Sequence, residues 1–481
     1  MAGFLRAPSL PLIAALLVAT AGAAFASEPA SADGELPSEP TPPGEDDGFE
    51  PAPPDGEDVS EAAAPPTPLP ASFEALVALN VRRRPDAASP RKGQLLQGAV
   101  VRADRWAVGP ACLQGWLGLG ERGWICASFV VPTDREPRTE HALVAFDPPR
   151  PSERSAYLTT AEYPRRQGPD ADRVLPYVYA RRQVGAPGWI HEDLESARRG
   201  APTTEQLQAG RAHHFRAVVE ADEGSILVLP DGRFVRLDEV SLYAPSRFQG
   251  VAIDGELPAW VRPGGGRVRQ RPSLISPVLA EPTAREIVWT NGEEVGPPER
   301  RWLRAVRPVE GWIAAWRVHR VRLLPPLDDA GPWIDLDLDQ QVLTLRDQEG
   351  ATYATLVSTG LGTPNRTPLG LYRIGDKLLH WDMASRADAE DPYHVEEVPF
   401  VMHFWPRYAL HVAFWHDGFG TPRSHGCVNL TPHDARVIAA ATRPALPPGW
   451  HTVFESPDEP GTSLRIHRGR PDVPDRRKPL R

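Results

Sequence analysis

Proline occupies 55 of the 481 positions, about twice its usual share of ~5%. It has no backbone N–H and its ring clashes with the preceding helical turn, so a chain this rich in it is not built from long helices. Short strands, turns and linkers remain, and the expected fold class is mainly β and multi-domain, since the length allows about two to four domains. The prolines are not spread evenly. Residues 28–70 hold twelve of them, with twelve Asp or Glu and no Lys or Arg. Such a segment cannot bury enough apolar surface to offset its ordering entropy, and its like charges repel. Residues 27–72 therefore read as an extended, disordered acidic spacer. Their twelve negative charges exceed the formal net charge of −10 and leave the rest of the chain close to neutral, slightly positive. A nucleic-acid partner would need clustered basic residues, and that pattern is missing.

Ahead of the spacer, Arg6, the apolar run Leu10–Thr20 and Ala24-Phe25-Ala26 have the layout of an export signal, residues 1–26, cleaved near Ala26. The rival reading, an uncleaved membrane anchor, is disfavoured by so short an apolar run. Export to the periplasm or cell envelope implies an oxidising compartment. Of the three cysteines, Cys112 and Cys126 lie in one strand-rich segment and are expected to pair. Cys427 is then the thiol left over.

Residues 73–135 read as a small β-module. Asn80-Val81-Arg82-Arg83-Arg84-Pro85 opens it, and Gly115-Trp116-Leu117-Gly118 and Gly123-Trp124-Ile125-Cys126 read as strand, turn and strand. The pattern resembles bacterial SH3-like domains, small β-barrels that often bind cell-wall peptides. Arg267-Val268-Arg269-Gln270-Arg271-Pro272 echoes the opening and Gly311-Trp312-Ile313 the end, so 257–325 is a possible second copy. Residues 136–256 are read only as α+β or SH3-like, with a candidate helix within 191–210. From 331 the texture changes. Trp333-Ile334-Asp335-Leu336-Asp337 alternates like a half-buried strand. Near the end, Thr431-Pro432-His433-Asp434 opens a helix, with Thr431 as its cap. The Pro- and Arg-rich stretch 457–481 reads as a disordered tail.

Six histidines between 394 and 433 surround the odd cysteine. A thiol attacks as thiolate, and a neighbouring imidazolium lowers its pKa, so a Cys–His pair is the minimum unit for acyl transfer. His411, His416 and His425 are near candidates; His403 and His416 read more readily as structural or surface residues. Gly426 lets the backbone approach a substrate, and the amides at Gly426 and Cys427 are natural oxyanion donors. No C-x-x-C or H-x-x-x-H spacing supports a metal site.

Ser424-His425-Gly426-Cys427-Val428-Asn429, with His411 sixteen residues upstream of the cysteine, resembles the active-site signature of the L,D-transpeptidases, the YkuD-type catalytic domain. Ser358-Thr359-Gly360 and Thr367-Pro368-Leu369-Gly370 match it too. The resemblance covers 331–456. It implies a β-sandwich-like catalytic domain with a few short helices, in which Cys427 is the nucleophile and His411 moves the proton. By the same resemblance the Val412 carbonyl orients the imidazole, Ser424 and His425 shape the site, Asn429 contacts substrate and Tyr393 is a lid aromatic. Two departures stand out. Val412 replaces a usually small residue, and Pro406-Arg407 replaces a pair that is commonly glycine-rich. The implied partners are peptidoglycan stem peptides: a tetrapeptide donor and an acceptor diamino acid joined in a 3→3 cross-link. Carbapenem-type inhibitors are expected to acylate the cysteine, and no metal or cofactor is required. Water or another amine as acceptor would give a carboxypeptidase, a hydrolase, or an enzyme that attaches or detaches wall-bound proteins. A non-catalytic wall-binding scaffold is the alternative of another class.

Overall fold

The computed structural model describes residues 72–137, 175–219, 224–328, 331–385 and 393–477. The export signal, nearly all of the acidic spacer, residues 138–174 and the last four residues lie outside the described residues. What is described is mainly β, in several separate sheets, with two α-helices, Leu194–Arg199 and Pro432–Ala441.

The C-terminal part is a sandwich. One sheet runs in the order Val251–Ala252, Gly350–Leu356, Val342–Asp347, Trp333–Asp337, Ser463–His467, Gly370–Arg373. It gives Ile334, Leu336, Leu343, Tyr372, Leu464 and Ile466 to the core. The facing strands Asp376–Ala384, His394–Trp405, Tyr408–Val412 and Val428–Leu430 give Met402, Phe404, Leu410, Val412, Val428 and Leu430. Helix Pro432–Ala441 closes one end with Ala435 and Ile438. It starts as its sequence dictates: Thr431 accepts from the Asp434 N–H, and Pro432 fills the first turn, where no N–H is needed.

Two expectations are corrected here. The strand Trp333–Asp337 is buried on both faces, not one. Its acidic face is covered by cations: Asp335 accepts from Arg346 at 2.8 Å and twice from Arg465, and Arg322 clasps Asp337. Carboxylates held this deep need such partners, because an unpaired buried charge is strongly destabilising. The second correction follows from the first. Arg465 lies within Ser463–His467, five buried residues in the stretch expected to be a disordered tail. This strand runs parallel to Trp333–Asp337 and antiparallel to Gly370–Arg373. Its composition suggested disorder because the carboxylate that neutralises Arg465 stands 130 residues earlier.

Three accessory segments end in the same corner: a strand, one 3₁₀ turn, a strand. The corners are Trp124–Cys126, Ala127–Phe129, Val130–Pro132; Phe234–Arg236, Leu237–Glu239, Val240–Leu242; and Gly311–Ala314, Ala315–Arg317, Val318–Arg320. The first and third segments also share an opening loop. Ser89 Oγ accepts from the Arg84 N–H and Ser276 Oγ from the Arg271 N–H, while Arg82 and Arg269 reach the Ser89 and Ser276 carbonyls. The first corner also holds the disulfide between Cys112 and Cys126, with Cα atoms 5.7 Å apart.

Among the described residues no sheet closes into a barrel, contrary to the expected small barrels. Instead the segments run into the sandwich. Strand Arg91–Leu95 pairs with Trp450–Phe454, and Trp450 and Val453 enter the first segment's core. Gly93 permits that approach, since a Cβ there would stand 2.2 Å from the Thr452 carbonyl oxygen. Strand Arg211–Phe215 of the middle segment joins His394–Trp405 in parallel. Trp260 of the third packs with Val342, Leu356, Ala413 and Phe419.

Candidate active site

Strands Tyr408–Val412 and Val428–Leu430 run parallel, and His411 registers with Asn429. With strands ~4.8 Å apart and ~3.3 Å per residue, the Cα of Cys427, two residues before Asn429, lies about 8 Å from that of His411. His411 Nδ1–H donates to the Val412 carbonyl at 2.8 Å, which leaves Nε2 as the nitrogen with a free lone pair. The Val412 side chain is in the core, so that position supplies only its carbonyl and the change from a small residue leaves the contact intact. The Trp415 ring stacks on His411, centroids 5.9 Å apart.

Two backbone groups surround the sulfur of Cys427. The thiol donates to the Arg407 carbonyl at 3.7 Å, and the Ala409 N–H is directed at Sγ. No hydrogen bond joins Sγ to His411 in this state, among the described residues. Proton transfer between them would require the Cys427 side chain to turn from Arg407 toward the imidazole, a tightening common when substrate enters. Arg407, in the Pro406-Arg407 turn, holds φ +68°.

The cysteine loop is braced from inside. Ser424 Oγ donates to the Cys427 carbonyl and accepts from the Gly426 N–H. The Gly426 amide, expected to bind an oxyanion, is thus engaged within the loop, and the Cys427 N–H is left for that task. Gly426 has φ +126°, and a Cβ there would stand 2.6 Å from the Tyr408 ring. Both facts call for glycine. Thr367 Oγ1 accepts from the Gly360 N–H and donates to the Gly426 carbonyl at 2.7 Å, and Ser358 exchanges both backbone bonds with Asn429. The scattered motifs of the sequence therefore converge on one loop, and Thr367 acquires a role that its sequence context did not signal.

Asn429 is also a brace. Its side chain is buried and its amide lies 3.0 Å from His416 Nε2. His425 is exposed and packs against the Tyr393 ring at 5.0 Å between centroids. Tyr393 follows residues 386–392, which lie outside the described residues.

Residues 331–466 match the family model of YkuD, the L,D-transpeptidase catalytic domain. An Enterococcus faecium L,D-transpeptidase structure is 18% identical over 28% of this chain, with a TM-score of 0.23. The match spans 50% of that protein, so this chain covers half the length of its relative. The catalytic domain of the E. faecium enzyme acylated by ertapenem is 20% identical over 29% of this chain and 100% of its own, TM-score 0.23. An L,D-transpeptidase from Mycobacterium smegmatis is 17% identical over 47% of this chain and 89% of its own, TM-score 0.24. Among curated proteins, none matches the chain.

Within the matched residues 331–466 the two candidate groups rest uncharged. Burial pushes the Cys427 thiol up, and the Ala409 N–H opposes it. Burial pushes the His411 imidazole down to about 4; the Val412 carbonyl opposes this and the charges of His403 and His416 add to it. At neutral pH His411 is therefore a base waiting for a proton, not the imidazolium partner that a standing thiolate would need. His403 behaves differently. Burial lowers its pKa, but the Asp376 carboxylate, 2.7 Å from Nδ1, outweighs burial and raises it. Sequence reasoning set His403 aside as structural or surface, and only the cross-strand register brings it into view.

Proposed function

We propose that this protein is an exported peptidoglycan L,D-transpeptidase that forms 3→3 cross-links through a Cys427 thioester. The observation that carries the reading is the His411 Nδ1 bond to the Val412 carbonyl, made one strand away from the segment that bears the cysteine. It leaves Nε2 free to serve as the base. His411 takes the thiol proton as Sγ attacks the carbonyl before the terminal D-Ala of a tetrapeptide stem. The Cys427 N–H stabilises the developing oxyanion. The C–N bond then breaks, and His411 returns the proton to the leaving D-Ala amine. The side-chain amine of a diamino acid on a second stem attacks the thioester, forms the new amide and releases the thiol. No metal or cofactor takes part. A carbapenem enters by the same attack, its β-lactam carbonyl taking the place of the stem's.

The N-terminal signal pattern and the Cys112–Cys126 bridge both support export to the cell envelope. The three accessory segments, the first and third of them SH3-like in sequence, would present the catalytic sandwich to the wall. Muropeptide mass spectrometry after expression of wild type and Cys427→Ala tests the reaction. Cross-linked 3→3 dimers are expected with wild type alone. Free tripeptides without such dimers would instead assign water as the acceptor.

A further inference from the structure

The cross-strand register sets Asp376, His403 and Ala409 side by side on neighbouring strands. In a sheet, residues paired in this way point to the same face. Met402 and Phe404, on either side of His403, point into the core, so His403 points out of it. Ala409 is the residue whose N–H is directed at Cys427 Sγ, and His411 lies two residues further along the same strand and face. His403 is therefore diagonal to His411, and the strand Tyr408–Val412 lies between it and the segment that bears Cys427. Its ring is held from one side: Nδ1 bonds Asp376, on the strand away from the nucleophile. The second nitrogen of an imidazole points roughly opposite to the first, which directs Nε2 toward Ala409 and the sulfur. Among the described residues Nε2 has no hydrogen-bond partner, and a quarter of the side chain is exposed. The charge of His403 is already felt at His411.

We propose that His403 is a substrate-binding residue, whose Nε2–H donates to a carboxylate of the acyl-donor stem peptide as that peptide crosses Ala409 to reach Cys427. The inference rests on the transpeptidase reading, because it takes the stem peptide as the occupant of this face. A stem peptide carries free carboxylates along its length, and a charge-assisted donor fixed by Asp376 suits one of them. The bland alternative is a cross-strand ion pair that only stabilises the hairpin, and such a pair would not distinguish a carboxylate from its amide.

Binding to the catalytically silent Cys427→Ala protein separates the two. Calorimetric titration with a synthetic tetrapeptide stem, and with the same stem amidated at its carboxylates, is expected to show the free acid binding ~10-fold tighter. In Cys427→Ala/His403→Phe the two stems should bind alike, and His403→Arg in the same background should restore the preference. Asp376→Asn, which keeps the ring, serves if His403→Phe does not fold, and it should weaken the preference in the same direction. An undiminished preference for the free acid in folded Cys427→Ala/His403→Phe, or in the Asp376→Asn variant, overturns the proposal, as does its absence from Cys427→Ala itself. Failure of the transpeptidase reading would show separately, as no D-Ala release by the wild-type protein.

Discussion

The thiol of Cys427 is bonded to a backbone carbonyl and the imidazole of His411 is neutral, so in the proposed reaction the thiolate forms only as the proton moves during attack. The consequence is a pH signature. A resting thiolate–imidazolium pair would alkylate rapidly at pH 6 and change little up to pH 9. A buried neutral thiol alkylates with a rate that climbs throughout that interval, with a midpoint above the usual Cys range. Iodoacetamide labelling of Cys427 between pH 5 and 10 distinguishes them, and a midpoint below 7 would refute the neutral pair. Catalysis has the opposite limb. Because burial lowers the His411 pKa to about 4, acyl transfer should persist into mild acid and fall only as pH approaches that value and the base becomes protonated.

The hairpin of Asp376–Ala384 and His394–Trp405 carries His403 and leads from Tyr393, so its anchoring matters to the site. Glu396 supplies the anchor to the middle segment, ion-paired with Arg211 at 2.7 Å and contacting His213 and His214 at 3.0 and 2.8 Å. Burial acts to raise its pKa, but the hydrogen bonds from His213 and His214 prevail and hold it well below the usual carboxylate range. A carboxyl with a depressed folded pKa adds stability above its unfolded pKa of about 4.3 and loses it as pH falls further. Glu396→Gln should therefore lower stability at pH 7 by about 2 kcal/mol, and the gap to wild type should narrow as pH falls below 4. Chemical denaturation at pH 7 and pH 3.5 measures it; a gap independent of pH would remove the charge from the account. None of this was legible in the sequence, because Glu396 and its partners are more than 180 residues apart. The shape of the candidate site was legible because its signature is local: His411 bonds the very next residue, and Ser424 to Asn429 form one continuous loop. The Ser463–His467 strand and the closed acidic face of Trp333–Asp337 were missed for the same reason that Glu396 was. Long-range charge pairing rewrites what local composition suggests.

A chain of beads on a linker is what the module-like sequence implies, yet the described segments share sheets and cores with the sandwich. Residues 331–477 produced alone would expose the strand edge at Trp450–Phe454 and the apolar surface that meets Trp260, and should be insoluble or unfold far below the full chain. Calorimetry on both proteins decides this; an excised domain as stable as the parent would mean the joints contribute nothing. Removal of residues 28–70, in contrast, should leave turnover on soluble stems unchanged, since a spacer adds reach and no chemistry. The claim beneath all of this is that Cys427 accepts an acyl group. Intact-mass spectrometry of the full chain after exposure to ertapenem addresses it directly. One adduct per wild-type molecule, and none on folded Cys427→Ala, is the expected result. An unmodified wild type, or an adduct that persists without the sulfur, would contradict it.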